Sequence, residues 1–509
     1  MVKYRPAKTR SIKIVRVQIP LEPTMINLYS LLFVSFFSAL GASLIPKHAT
    51  RFLKYFSTAS SFVMLFLSLI MWALLDKTTP AFQFKIFFAH RLNFNIMFGV
   101  DGIAITFIVL TTVILSLCLL AAWDLSAIKN LKKFVVCLLY IEFCLLVTFS
   151  TLDLIVFYIA FESILIPMSI IILLGGSQLR RIRATFYFFL YTFIGSLFLL
   201  YAIFSIFMVT QTGNYLIFNY TDFSPAQQST LWICFFIAFA VKVPMYPFHV
   251  WLPEAHVEAP TIGSVILAAL LLKLGGYGFI RFLITPTLAD AAAYYQPLLM
   301  TLCIIGIIYA SLIALIQLDI KRVIAYASIA HMNFAILGLC TTTVSGVCGS
   351  ILLMLAHGLV SAGLFFLIGV LYDRQHERNL LYFSGLVQTM PLYSILFFIF
   401  TLANISFPGT FNFVGEFLIF IGLINLNVGI TFLVALTLLI GVGYSFLLLN
   451  RVIFGDFKVA YSTNFTDLTR HEAAYLLPLL VFTVFLGFYP EVISATLDCS
   501  VANLCYAWR

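Results

Sequence analysis

The sequence predicts an all-α membrane protein that crosses the bilayer about fourteen times. Of its 509 residues, 62% are hydrophobic and only 10% are charged, more apolar surface than a soluble core buries. Apolar runs of about 20 residues recur along nearly the whole chain, and each can cross a hydrocarbon layer ~30 Å thick. The alternating apolar and polar pattern of outer-membrane strands is absent, which argues against a membrane barrel.

The predicted spans follow one another through short connections. They lie near 26–45, 55–75, 102–122, 134–150, 152–174, 184–210, 229–243, 261–280, 296–316, 323–341, 346–371, 391–424, 428–450 and 473–490. The longest polar connections, near 76–100 and 451–472, hold only about 20 residues, so no separate soluble domain is expected.

A basic N-terminal arm, residues 1–25, precedes the transmembrane domain of residues 26–509. Its first 20 residues contain six Lys or Arg and no acid. A solvated arm is the simpler interpretation, and a transit-like or partner-binding arm is the alternative.

The basic residues are divided unequally between the two sides of the membrane. Of the 29 Lys and Arg, 16 fall in loops opposite the termini and 5 on the terminal side beyond the arm. The excess of positive charge in inner loops therefore predicts that both termini face outward. The same loops account for the net charge of +9, so we expect lipids and no nucleic acid as partners.

Two spans are interrupted next to a charged residue. Span 7 is cut by Pro244 and Pro247 directly after Lys242, and span 12 is cut by Pro408 shortly before Glu416. A broken helix at membrane depth is tolerated only where protein or a water-filled cavity satisfies its backbone. A hydrated pocket is therefore predicted beside each break.

The two breaks also predict internal symmetry. They lie five spans apart, and because five is odd, the two broken helices cross the membrane in opposite directions. This is typical of inverted repeats, here two five-helix repeats near 134–280 and 296–450.

Ionisable side chains within spans are rare and usually mark ion or proton pathways. The candidates for proton transfer are Glu162, Lys242, Lys273, Glu416, His331 and His357, with Glu142, His249 and His256 as secondary candidates. A Glu162–Lys242 pair in partial contact could take up or release a proton when its partners separate. Histidine titrates near neutral pH, so His331 and His357 suit a relay.

Each candidate also has a simpler interpretation. Glu162 and Lys242 could form a structural ion pair, Lys273 could snorkel to an interface, and Glu416 could be a helix-end carboxylate. The span histidines could pack through hydrogen bonds, or could together ligate a haem or metal. Nucleotide-binding loops, CxxC pairs and cysteine clusters are absent from the sequence, so no cofactor is expected on this chain.

Several long motifs resemble a known family. FYIAFESILIP, FAVKVPMYPFHVWLPEAHVEAP, LLLKLGGYGFIRF, DIKRVIAYASIAHMN, LMLAHGLVS and TLANISFPGTFNFVGEF are similar to motifs of the antiporter-like membrane-arm subunits of respiratory complex I, in particular subunit 4 of NADH dehydrogenase in its mitochondrial form. The resemblance runs in order from about residue 95 to 460, and the basic arm has no counterpart in it.

The resemblance implies a fourteen-helix proton-channel module of the mitochondrial inner membrane, with both termini on the intermembrane-space side. It implies a subunit of proton-pumping NADH:ubiquinone oxidoreductase, with NADH, flavin, iron–sulfur clusters and ubiquinone elsewhere in the complex and sister antiporter-like subunits as partners. The family's ionisable residues match Glu162, Lys242, Lys273, Glu416, His331 and His357. Sister subunits usually have lysine where this chain has Glu416.

Two other functions share these residues. A stand-alone cation/proton antiporter has the same fold and charged groups, and a structural spacer would keep the fold without transport.

Overall fold

The computed structural model of the protein describes residues 25–88, 96–123, 130–175, 180–456 and 466–507. The predicted basic arm at 1–25 lies outside the described residues, except for Met25 at the start of the first helix.

The described chain is predominantly helical. The helices of its first half are α1 (Met25–Leu44), α2 (Thr50–Leu74), α3 (Gly102–Ala121), α4 (Leu131–Ser150), α5 (Leu154–Ser163), α6 (Leu165–Gly175), α7 (Arg180–Thr210), α8 (Tyr215–Phe218), α9 (Pro225–Lys242), α10 (Trp251–Glu258), α11 (Thr261–Ile266) and α12 (Leu272–Gly278). Two π-helical turns, Leu267–Leu271 and Phe279–Leu283, flank α12 within one continuous rod.

The second half repeats this character. Its helices are α13 (Ala289–Ile316), α14 (Ile320–Leu339), α15 (Val344–Gln375), α16 (Pro391–Asn404), α17 (Phe411–Leu426), α18 (Val428–Val452), α19 (Arg470–Phe488) and α20 (Glu491–Ala507). Short 3-10 turns lie at Phe248–Val250, Pro286–Leu288, Leu380–Tyr382 and Leu386–Gln388.

The predicted spans are confirmed as helices. In the described ranges, 12 helical stretches are long and apolar enough to cross a membrane, and α16 and α17 are shorter apolar helices. Counting α16 with α17 as one broken span, and adding α9 with α10 as another, gives the predicted fourteen. The inverted-repeat boundaries stay a prediction.

Both predicted breaks are present. The first helix ends at Lys242 and resumes at Trp251, and the second ends at Asn404 and resumes at Phe411. Gly409 has φ +93 in the second break, a conformation that residues with a side chain rarely adopt. A third interruption, at Ile164 between α5 and α6, was not predicted.

A strand pair and a final helix were not predicted. The connection near 76–100 contains an antiparallel pair, β1 (Gln83–Phe88) and β2 (Ile96–Val100). The final helix, α20, lies beyond the last predicted span and packs against α3 and α15. Gly102 at the start of α3 permits this, because a Cβ there would lie 1.9 Å from the Thr496 carbonyl oxygen.

Contacts between loops confirm which connections share a side. On the side with the predicted excess of positive charge, contacts join Lys54 to the Trp123 carbonyl, Lys321 to the Ala259 carbonyl and Arg374 to Glu472. On the opposite side, contacts join Gln296 to the Cys340 carbonyl and Cys499 to the Thr78 carbonyl. The alternation of spans inferred from hydropathy is therefore the one that the bundle adopts.

A buried ion pair joins the π-helical turn Phe279–Leu283 to the start of α3. Arg281 donates to the Asp101 carboxylate, which also caps α3 by accepting from the Ala104 amide. Both charged side chains are almost completely buried, and the guanidinium carbon lies 5.0 Å from the centre of the Tyr277 ring. Removing one partner would leave the other charge buried without compensation, which is strongly destabilising.

We therefore expect Asp101→Asn to lower the unfolding free energy by about 3 kcal/mol. Thermal unfolding of the detergent-purified assembly measures the effect. Asp290→Asn, at an exposed position in the first turn of α13, is the matched control and should leave the transition unchanged. Equal transition temperatures for the two variants would show that the buried pair is dispensable.

Candidate functional site

Lys273 is completely buried within the bundle. It follows the π-helical turn Leu267–Leu271, and its Nζ donates to the Ala268 carbonyl at 2.6 Å and lies 2.7 Å from His357 Nδ1. An ammonium can only donate, so Nδ1 of His357 must accept whenever Lys273 is charged. The snorkelling interpretation of Lys273 is therefore wrong.

His357 continues toward a second histidine and a carboxylate. The ring centres of His357 and His331 are 5.7 Å apart, and His331 Nδ1 lies 3.2 Å from Glu416 Oε1. The His331–Glu416 contact is close, yet its angles do not make it a hydrogen bond, since Glu416 Oε1 has no hydrogen-bond partner. Lys273, His357, His331 and Glu416 thus lie one after another, and they are here called the relay row.

Helix packing brings the relay row together. Gly349 on α15 and Gly415 on α17 let these two helices approach closely, because a Cβ on Gly415 would lie 2.6 Å from the Leu353 amide nitrogen. Small residues at such contacts are a common device of membrane helix packing. Glu416, the next residue after Gly415, is consequently held inside the bundle and is only 3% exposed.

Glu162 and Lys242 lie near one another without direct pairing. Lys242 ends α9 with 2% exposure, and its Nζ has no hydrogen-bond partner but lies 4.5 Å from the centre of the Phe161 ring. Glu162, half-buried at the end of α5, has Ser196 and Lys242 as polar neighbours. The two groups are close enough for an electrostatic interaction, and the predicted uptake or release of a proton by this pair stays a prediction.

The start of α5 is fixed outside the membrane-spanning segment. Asp153 caps the helix by accepting from the Ile155 and Val156 amides, at 2.9 and 3.0 Å. Burial raises the pKa of the Asp153 carboxyl, and the two amide hydrogen bonds oppose that shift. The cap anchors the helix that presents Glu162.

Lys242 also lies close to α12, the helix that carries Lys273. A Cβ on Gly275 would lie 2.5 Å from Val243 Cγ2 and 3.2 Å from Lys242 Cβ. The glycine therefore lets the broken end of α9 pack directly on α12, two residues beyond Lys273.

The secondary candidates are placed differently. Glu142 is fully buried on α4 with neither oxygen hydrogen-bonded. His249 packs against two tyrosine rings, with its centre 5.9 Å from that of Tyr246 and 5.2 Å from that of Tyr309. No contact described for Glu142 or His249 joins either one to the relay row.

His256 is the secondary candidate that approaches the relay row. Its ring is fully buried and stacks on Phe365, with centres 4.8 Å apart, and neither ring nitrogen is hydrogen-bonded. Lys273 and Lys321 both lie within electrostatic range of it.

Sequence reasoning missed the position of Lys321, which was counted among the loop lysines. It lies at the start of α14 with 3% exposure, and its Nζ donates to the Ala259 carbonyl at 2.8 Å. It lies beside the connection at Ala259, which was predicted to share its side of the membrane. Its burial was not predicted, because hydropathy does not show which way a helix-end side chain turns.

Broken helices around a buried row of lysine, histidine and carboxylate define the class of antiporter-like membrane proteins. The family model described as "NADH:quinone oxidoreductase/Mrp antiporter, TM" matches residues 151–442. The NADH-ubiquinone oxidoreductase chain 4 of Marchantia polymorpha is 45% identical, covering 95% of this chain and 98% of that protein. The Arabidopsis thaliana chain of the same name is also 45% identical, covering 94% and 97%.

Solved structures agree with the sequence relatives. A chain of respiratory complex I from Thermus thermophilus is 25% identical, with a TM-score of 0.84 covering 96% of this chain and 100% of that one. A chain of an Mrp complex from a Dietzia species shares the fold at 18% identity, with a TM-score of 0.83 covering 95% and 99%. The protein belongs to the NADH:quinone oxidoreductase/Mrp antiporter family, within its group of NADH-ubiquinone oxidoreductase chain 4 proteins.

Proposed function

We propose that the chain is a proton-translocating membrane-arm subunit of NADH:ubiquinone oxidoreductase. The observation that supports this most strongly is the relay row of a buried lysine, two histidines and a carboxylate. Lys273 Nζ lies 2.7 Å from His357 Nδ1, and His331 Nδ1 lies 3.2 Å from Glu416 Oε1. The centres of the two histidine rings between them are 5.7 Å apart. Structural ion pairs do not require such a series, and ionisable groups inside a membrane bundle typically mark proton paths.

The proton moves by changes of charge along the row. A proton reaching Lys273 passes to Nδ1 of His357, which accepts it when its own proton lies on Nε2. His331 then receives a proton and passes one to Glu416, which releases it. The 2.7 Å between Lys273 Nζ and His357 Nδ1 suits proton exchange. Because the Lys273 ammonium already contacts Nδ1 of His357, we prefer the relay to haem ligation by the two histidines.

Glu162 and Lys242 act as a switch that governs whether Lys273 holds a proton. When the Glu162 carboxylate and the Lys242 ammonium approach, their charges compensate each other. When they separate, the uncompensated positive charge of Lys242 repels the nearby charge on Lys273 and favours departure of the Lys273 proton. Quinone reduction elsewhere in the complex would drive this separation.

We infer that protons enter beside Lys321 and His256. Lys321 lies next to the loops of the positive side, and the charges of both Lys321 and Lys273 act on the buried His256. His249 lies at the start of the same proline-rich segment, and Glu142 remains a secondary candidate. Both termini then face the intermembrane space, with the positive loops on the inner side of the mitochondrial inner membrane.

The redox chemistry belongs to the assembled enzyme. Within the described residues, no group of three His, Cys, Asp or Glu is placed to hold a metal. From the membership of the relatives in NADH-ubiquinone oxidoreductase, we assign NADH oxidation, flavin, iron–sulfur clusters and ubiquinone to other subunits, with sister antiporter-like subunits and lipids as the direct neighbours of this chain.

The alternative is a stand-alone cation/proton antiporter, favoured by the fold shared with the Mrp complex chain. Native electrophoresis of solubilised membranes distinguishes the two. Co-migration with NADH dehydrogenase activity supports our proposal, whereas migration alone or with a few small subunits supports the antiporter.

Replacing Glu162 with glutamine tests pumping directly. The variant keeps the shape of the side chain but loses the charge that compensates Lys242, so we expect a several-fold fall in protons moved per electron. The ratio is measured in proteoliposomes of the intact complex during NADH oxidation. Glu491→Gln, at the exposed start of α20, is the control, and an unchanged ratio for Glu162→Gln would support a spacer instead.

A further inference from the structure

Ser196 carries an almost completely buried hydroxyl that no step of the proposed relay uses. It lies on α7 with 1% exposure, and its Oγ donates to the Phe193 carbonyl at 2.8 Å. Serines in membrane helices commonly donate to a carbonyl one turn back. Ser205, which is partly exposed on the same helix, does so toward the Tyr201 carbonyl at 2.9 Å. The backbone bond alone therefore gives Ser196 no special role.

Two side chains of α5 distinguish Ser196 from the other serines. Tyr158 and Glu162 lie one helical turn apart on α5, and both are within hydrogen-bonding range of the Ser196 hydroxyl. The packing of α5 on α7 brings the three side chains together. A hydroxyl has two lone pairs but only one hydrogen, so Ser196 can accept from Tyr158 while it donates to a single acceptor. The Phe193 carbonyl and the Glu162 carboxylate therefore compete for the same hydrogen.

The turn of α7 that carries Ser196 also packs on the helix end that carries Lys242. A Cβ on Gly195 would lie 3.2 Å from Val241 Cβ, so α7 and α9 approach closely beside Lys242. Lys242 Nζ and Glu162 Oε2 are both buried without a hydrogen-bond partner in the protein. Ser196 is thus a neighbour that can hold Glu162 while the ammonium stays apart.

We propose that Ser196 is a positioning residue that holds Glu162 when the Glu162–Lys242 pair separates. This inference rests on the proposed function. While Lys242 compensates the carboxylate, the hydroxyl donates to the Phe193 carbonyl. When the pair separates, the hydroxyl rotates toward Glu162, because a hydrogen bond to a charged acceptor is roughly twice as strong as one between neutral groups. Ser196 keeps its proton throughout, and the rotation leaves the Lys242 charge free to act on Lys273.

Ser196→Ala removes the hydroxyl and keeps the helix. We expect normal assembly and normal NADH oxidation with an artificial acceptor. The number of protons moved per electron should fall several-fold, because the separated pair loses its hydrogen-bond donor. Ser205→Ala deletes a hydroxyl with a similar backbone bond on the same helix, so it is the matched control and should pump normally. The ratio is measured in proteoliposomes of the intact complex, and an unchanged ratio for Ser196→Ala would overturn the positioning role.

Two further substitutions separate hydrogen-bond donation from packing. Ser196→Thr retains the hydroxyl and should restore most of the proton-to-electron ratio. Ser196→Cys keeps the size of the side chain but has only a weak donor, so it should pump as poorly as Ser196→Ala. Full pumping by Ser196→Cys would show that the side chain serves packing alone.

The double variant of Ser196→Ala with Glu162→Gln tests whether Ser196 acts through Glu162. Independent residues have additive effects, whereas residues that act through one another do not. We therefore expect the double variant to match Glu162→Gln alone, and a further fall in the ratio would overturn the inference.

The single variants distinguish failure of this inference from failure of the proposed function. If Glu162→Gln lowers the ratio while Ser196→Ala pumps as wild type, the inference falls and the proposed function stands. If Glu162→Gln itself keeps the wild-type ratio, the proposed function fails.

Discussion

Lys273→Met lowers NADH-driven proton translocation at least about tenfold, because a positioned proton-transfer group typically contributes a factor of about 10²–10⁴. Methionine matches the length of lysine and suits an apolar interior, but it carries no proton. In the described structure, Lys273 is the residue whose amine contacts His357, so no neighbouring group takes over the contact. Proton uptake into proteoliposomes of the intact complex measures the loss.

A second variant separates proton transfer from mere positive charge. Lys273→Arg keeps a cation in place, but a guanidinium does not deprotonate in proteins, so we expect pumping to stay low. Lys133→Met, at an exposed position in the first turn of α4, is the control and should pump normally. Full pumping by Lys273→Met would show that Lys273 is not part of the proton path.

Glu416→Gln is expected to lower pumping to a similar extent, at least about tenfold. The amide fills the same space and can still form hydrogen bonds, but it cannot bind and release a proton. Because His331 lies 3.2 Å away, the proton would stop at the histidine. The rate of proton translocation per NADH oxidised, measured in the same proteoliposomes, checks this result.

The conservative variant provides the contrast. Glu416→Asp retains a carboxyl group at the same helical position, so it should recover a substantial part of the rate. Equal loss in Glu416→Asp and Glu416→Gln would indicate that the side chain serves packing alone.

The sequence predicted the parts of this fold that depend on local composition. Long apolar runs located the spans, and prolines located the breaks after Lys242 and before Phe411, because a proline removes a backbone donor wherever the chain folds. The same reasoning selected the relay residues, since an ionisable side chain is conspicuous in an apolar run.

The parts that depend on distant contacts could not be predicted. Arg281 and Asp101 meet across 180 residues of chain, and Ser196 reaches Glu162 only when α5 and α7 pack together. The π-helical turn that directs the Ala268 carbonyl toward Lys273 has no signal in hydropathy. Nor does composition distinguish a buried Lys321 from an exposed one.

Buried polar atoms without a partner occur at both ends of the proposed path. Glu162 Oε2, Lys242 Nζ, His331 Nε2 and Glu416 Oε1 are all buried without a hydrogen-bond partner in the protein. Buried polar atoms are normally satisfied, by protein or by ordered water, because leaving them unpaired costs about 1–3 kcal/mol each. The proposed path therefore requires ordered water at these atoms, including between Lys242 and Lys273.

A density map of the intact respiratory assembly, at a resolution that shows ordered water, tests the central claim most directly. We predict a continuous series of waters and side chains from Glu162 through Lys242, Lys273, His357 and His331 to Glu416. A seam filled by apolar side chains between these residues, or ionisable groups turned toward lipid, would contradict a proton path and leave a structural role for the chain.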